Sequence, residues 1–146
     1  MRYGQAGLGR VFVVRLESGD IINESLEKVA RDEGIKAAAV ILLGGADSGS
    51  RLVAGPDEGD KGAVPYVQGI EGVHEMTGTG TIFPGPDGRP SLHMHIAAGR
   101  KDKSVTGCTR SGVKTWLTGE AVIIELAGCA ASREREPGTG FDLLQP

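Results

Sequence analysis

The stretch Ser91-Leu92-His93-Met94-His95-Ile96-Ala97 alternates polar and apolar residues without a break. A period of two is the pattern of a strand with one face buried and one face open. Just upstream, Val73 to Phe83 runs through His74, Met76, Thr77, Thr79, Thr81 and Ile82, a threonine-rich alternation suited to a second strand. Gly78 and Gly80 within it admit a bulge or a close neighbour. Between the two lies Pro84-Gly85-Pro86-Asp87-Gly88-Arg89-Pro90, a cluster of turn formers. Strand, turn and strand read as a hairpin, and a sheet has to be built around it. Two of the three histidines, His93 and His95, then project from one side of that hairpin, one pleat apart. Paired imidazoles in that relation can ligate one divalent metal, and neutral histidine nitrogen is a standard zinc ligand.

The rest of the chain supplies the support. Val11-Phe12-Val13-Val14-Arg15-Leu16-Glu17 is β-branched and apolar and stops at Ser18-Gly19, which places a strand in the middle of the sheet. Asp20 follows as a helix N-cap with Glu24 in the first turn. Ile22, Leu26, Val29 and Ala30 recur at helical spacing, and Gly34 closes the helix. Ala37 to Leu43 is an apolar run of strand length ending at Gly44-Gly45. Arg51 to Ala54 reads as a short strand, Pro56 to Gly62 as a polar surface loop, and Tyr66, Val67 and Ile70 mark a further strand. Gly99 to Lys103 is a charged turn, and Ala121 to Leu126 is a strong strand. Trp116 belongs to the core or to a subunit interface. The order of strand, helix, strand and hairpin-linked strands gives an α+β domain, a largely antiparallel sheet flanked by helices.

At 146 residues the chain is expected to form one domain, residues 1–146. Its 24 glycines fit a β-rich fold with many tight turns. A net charge of -3, with acids and bases interspersed and no basic stripe, lacks the footprint of a strong nucleic-acid binder. No apolar run reaches the length of a membrane span, and the N-terminal residues lack the apolar core of a signal peptide. The two cysteines, Cys108 and Cys129, fit a reducing cytoplasm better than a secreted disulfide scaffold. Gly88-Arg89-Pro90 echoes the core of an AT-hook, but it lies in the hairpin turn without a flanking arginine and reads as turn chemistry.

In order along the chain stand Arg15 in the first strand, Gly19-Asp20 opening a helix that ends at Gly34-Ile35, the run from Ala37 to Gly44, and Thr77-Gly78-Thr79-Gly80. They are followed by His93-x-His95, a glycine turn at Gly107, and a tail with Arg133, Glu136, Thr139 and Gly140 in an Arg-x-x-acid-x-x-Thr-Gly pattern. This series resembles the stand-alone prokaryotic form of the PPC (plants and prokaryotes conserved) domain, which accompanies AT-hooks in plants. The resemblance implies a homotrimer related in fold to acetolactate decarboxylases. It also implies a zinc-type site near the subunit interface, built from His-x-His and a third histidine in a Gly-Gly-His motif.

Here that motif reads Gly107-Cys108-Thr109, so the third histidine is absent. Three residues are candidates for its place. Cys108 offers a thiolate, although counting along a strand from the family's histidine position turns it away. His74 stands where the family usually carries Glu, and the hairpin puts it beyond His95 on the partner strand. Thr109 offers only a hydroxyl, which leaves a site without metal. In the tail, Arg133 and Glu136 are candidates to line the same pocket as an anion clamp or to form an ion pair closing the C-terminal segment. Arg51 and Arg110 are further sources of positive charge. Three functions follow as expectations. The first is a regulatory homotrimer with a His-based metal or small-ligand pocket. The second is a zinc-dependent lyase or decarboxylase in which Glu75 or Glu136 moves a proton. The third is a DNA-associated interaction module.

Overall fold

The computed structural model describes residues 1–56 and 64–146. The chain runs through β1 (Gly7–Glu17), α1 (Ile22–Asp32), β2 (Ala38–Ala46), β3 (Arg51–Pro56), β4 (Pro65–Gly69), β5 (His74–Pro84), β6 (Pro90–Arg100) and β7 (Lys103–Cys108). A single turn of 3₁₀-helix at Thr109–Ser111 leads to β8 (Thr115–Ala127), β9 (Ser132–Arg135) and β10 (Asp142–Gln145). Eight strands form one sheet in the order β1-β8-β2-β5-β6-β7-β3-β4, every neighbouring pair antiparallel. The last two strands form a separate antiparallel hairpin. Among the described residues α1 is the one α-helix, so the sheet is covered on one face rather than flanked by several helices.

Alternation decides which face that is. Ile22, Leu26 and Ala30 of α1 are fully buried against Ala38, Val40 and Leu42 of β2, Ile82 of β5, Leu92, Met94, Ile96 and Ala98 of β6, and Ala121 and Ile123 of β8. Burying such side chains is worth about 1.5–3 kcal/mol each relative to exposure, so this face supplies most of the driving force for folding. The glycines of β5 make room within it. A Cβ at Gly78 would collide with the His95 carbonyl oxygen and the Ile96 side chain, and one at Gly80 with Met94. Ile96 and Met94 therefore occupy the space that side chains on β5 would need.

α1 begins one residue later than the Asp20 cap would place it. Ile21 is the N-cap and makes no side-chain capping bond. The Asp20 carboxylate instead accepts the Glu17 N–H at 2.8 Å and closes the turn after β1. The C-terminal end is as read. Gly34 has φ +66°, the Ile35 N–H reaches the Ala30 carbonyl at 2.8 Å, and the Gly34 N–H reaches Arg31 at 3.2 Å, the double bond of a Schellman closure.

β1 is an edge strand and not a central one. Its core-side residues Phe12, Val14 and Leu16 pack inward, but Val11 and Val13 stand on the open face, Val13 at 86% exposure. A run apolar on both faces reads like a strand buried on both faces, and here no described residue covers the second face of β1 at Val11 and Val13. Trp116, 40% exposed, is outside the core, beside the register shift between Gly44 and Gly45. The polar loop read from Pro56 to Gly62 lies outside the described residues apart from Pro56, which ends β3.

Candidate metal centre and ligand cleft

The face opposite α1 is organised by register. Directly paired residues on adjacent antiparallel strands share a face. Val13 pairs with Val122, Val122 with Ile41, Ile41 with Thr79, Thr79 with His95, His95 with Cys108, and Cys108 with Val53. The row crosses seven strands and passes from valine and isoleucine, through threonine, to histidine and cysteine. A parallel row contains Val11, Ile124, Ala39, Thr81 and His93.

These rows bring His93, His95 and Cys108 together. Their ligand atoms all lie within 4.8 Å of one another. The two Nε2 atoms are 3.1 Å apart, the rings meeting edge to face at 71°. In that contact one ring N–H donates and the other ring nitrogen accepts. Burial, followed by the neighbouring charges of Arg133, His95 and Arg110, holds the His93 pKa below its usual value. The shift favours the neutral imidazole, the form a metal ligand needs. Cys108 is buried and carries a free thiol.

The expectation that Cys108 faces away fails because strand parity ends at Cys108. β7 stops there, and the chain leaves the sheet in the 3₁₀ turn that begins at Thr109. Cys108 is still paired with His95 and points with it. Thr109 is the residue that turns inward: it is fully buried, and its Oγ1 donates to Asn23 Oδ1 at 2.6 Å and lies 3.3 Å from the Met94 carbonyl. It holds α1 and β6 together and does not reach the histidines. His74 is on the core side at the start of β5, paired with Ala46 and bonded through Nδ1 to the Gly72 carbonyl at 3.0 Å. It lies five residues from Thr79, the partner of His95, an odd number that puts it on the opposite face.

The cluster opens into a cleft of about 760 Å³ between the sheet and the β9–β10 hairpin, lined among others by Asn23, Val53, Arg110, Arg133 and Phe141. The hairpin was missed from sequence, because two four-residue strands rich in charge carry no usable periodicity. It delivers Arg133 onto the sheet. Arg133 is 7% exposed, its Nη2 donates to Thr81 Oγ1 at 3.0 Å, and its guanidinium lies 5.6 Å from the Phe83 ring centre. Burial pushes its pKa below the usual arginine value. Glu136 is elsewhere: it accepts from Thr139 Oγ1 at 2.9 Å, and among the described residues no ion pair joins it to Arg133. Arg110 lines the cleft, whereas Arg51 and Glu75 do not.

The donor set fits zinc. Tetrahedral zinc with bonds of about 2.0–2.3 Å needs ligand atoms about 3.3–3.8 Å apart; the two Nε2 atoms stand 3.1 Å apart and the Cys108 thiol lies within 4.8 Å of both rings. Two imidazoles and a thiolate are a zinc-type set, with one position left for water or a ligand.

Fold and site together define an α+β protein with an eight-stranded antiparallel sheet that carries two histidines and a cysteine on the face opposite α1. Residues 3–127 match the Plants and Prokaryotes Conserved (PCC) domain, and the chain belongs to that family, the PPC domain named above. The fold recurs in several solved structures, among them these three. A metal-containing protein of Archaeoglobus fulgidus aligns at TM-score 0.87 and 21% identity over 100% of both chains. A PPC protein of Pyrococcus horikoshii aligns at TM-score 0.87 and 22% identity over 100% of this chain and 98% of that one. A protein of Ralstonia eutropha that carries a provisional DNA-binding name aligns at TM-score 0.76 and 20% identity over 92% and 90%. No curated protein matches the chain.

Proposed function

We infer that this chain is a stand-alone PPC-domain protein that assembles as a homotrimer, binds zinc through His93, His95 and Cys108 near the subunit interface, and has a regulatory role. The observation that carries the reading is the convergence of three ligand atoms within 4.8 Å on residues that the sheet register fixes. The metal held by the Archaeoglobus neighbour supports it. The trimer draws support from the same face: Val11, Val13, Ile41 and Leu43 are exposed apolar residues, continuous with the histidine rows and suited to burial against further copies of this chain. Two free cysteines support a cytoplasmic setting. No helix among the described residues is long and apolar enough to cross a membrane.

A lyase related to the acetolactate decarboxylases needs a group that moves a proton, and neither Glu75 nor Glu136 lines the cleft. The DNA-associated reading rests on the Ralstonia neighbour's name. It predicts duplex binding that weakens steeply with salt, against a net charge of -3.

Metal analysis of protein purified without a histidine tag tests the main reading. Wild type should carry about one zinc per chain, as a single tetrahedral centre requires. His93→Ala/His95→Ala should carry none. Cys108→Ser should weaken zinc by more than the roughly 10–100-fold that loss of an outer partner costs. Wild-type protein without metal, or equal metal in the double variant, contradicts it.

A further inference from the structure

Arg133 carries more positive charge into the cleft than the protein neutralises. The residue is more than nine-tenths buried, its Nε is shielded from solvent, and among the described residues neither Nε nor Nη1 has a hydrogen-bond partner. Only Nη2 is engaged, by Thr81. Three arginines, Arg110, Arg133 and Arg135, and two carboxylates line the cleft, which leaves one positive charge over. Asp142 pairs with Arg135 at 3.0 Å, and Glu27 accepts the Leu92 N–H at 2.9 Å. Among the described residues Arg110, at the rim of the cleft, makes no ion pair either. An uncompensated buried cation is costly, and a planar guanidinium with a free edge is shaped for an oxyanion.

We propose that the cleft binds a small oxyanion, a carboxylate or a phosphate, on Arg133, and that the ligand reaches from there to the metal at His93, His95 and Cys108. Arg133 and the histidines line one cleft, and the Thr81 that holds Arg133 is the cross-strand partner of His93. The bridge to the metal rests on the zinc reading; the Arg133 subsite does not. Arg110, which lines the same cleft, draws the anion in from solvent.

The test is an NMR titration of the full chain, metal-free and zinc-loaded, with acetate and separately with inorganic phosphate, read at the Arg133 Nε–H resonance and the backbone amides of the cleft. A saturable shift is expected with at least one probe, and the probe that saturates tells carboxylate from phosphate. Zinc should tighten it, since two sites sharing one ligand are coupled reciprocally. Arg133→Lys keeps the charge and loses the planar fork, and should weaken binding about tenfold. Arg110→Gln, on an exposed rim residue, guards against misfolding of the first variant and should weaken binding in a salt-sensitive way. The absence of saturation with both probes, or the same shift from sodium chloride alone, overturns the proposal. Saturation without any zinc uptake leaves the Arg133 subsite standing and removes the metal reading. Equal affinity with and without zinc overturns the bridge.

Discussion

At the scale of single residues, the account depends on small positions as much as on ligands. Gly78 faces Ile96 across the β5–β6 pair and leaves no room for a methyl group. Gly78→Ala should therefore cost about 1–3 kcal/mol as an overpacked core does, and should displace His95, whose carbonyl oxygen the new Cβ meets. Denaturant unfolding together with a zinc titration checks both effects; an unchanged midpoint and unchanged zinc affinity contradict the packing described. The same scale shows where sequence reasoning reached its limit. His93 and His95 were legible because alternation alone puts them on one face. Cys108 was not, because its orientation depends on where β7 ends, which a cross-strand partner and the following turn decide. Thr109 looked like the equivalent of a ligand and is a buried strut between α1 and β6.

At the scale of elements, the edge strand β1 is tied to β8 by charge as well as by its ladder. Arg10 Nε donates to Glu125 Oε2 at 2.8 Å, and the Arg10 N–H reaches the same carboxylate at 3.1 Å. Those hydrogen bonds hold the Glu125 pKa at about 2, below its ordinary value of 4.5. A carboxyl whose pKa falls on folding stabilises the fold fully above its unfolded pKa and loses that contribution as the pH drops toward the folded one. Stability should thus lose a Glu125-dependent increment between about pH 4.5 and pH 2. Glu125→Gln should flatten that part of the profile while behaving uniformly at higher pH, and an identical acid limb in the variant contradicts the assignment. The helix, the β5–β6 hairpin and β8 were readable because each is long and strongly patterned. β9 and β10 were not, since four-residue strands held by tail contacts carry too few residues for a period to register. The edge position of β1 was hidden for another reason: valines exposed on an edge strand look the same in sequence as valines buried within a sheet.

At the scale of the molecule, the sheet has one face closed by α1 and an opposite face covered only in part, where β9 delivers Arg133 onto Thr81. That opposite face divides between an exposed apolar region on β1, β8 and β2 and a polar, metal-type region on β6 and β7. The first is the surface assigned to self-assembly. Light scattering should give a mass of three chains, and Val13→Asp, at an 86% exposed position on the edge strand, should lower it without unfolding the subunit. A wild-type mass of one chain, or a variant that stays trimeric, contradicts that assignment. The second region carries the central claim, which is that register, and not the family's histidine count, completes a metal site with Cys108. Zinc-edge X-ray absorption of tag-free, zinc-loaded protein tests it most directly. Two nitrogen neighbours at about 2.0–2.1 Å and one sulfur at about 2.3 Å are expected, with the sulfur lost in Cys108→Ser. A first shell of nitrogen and oxygen alone in the wild-type protein would contradict it.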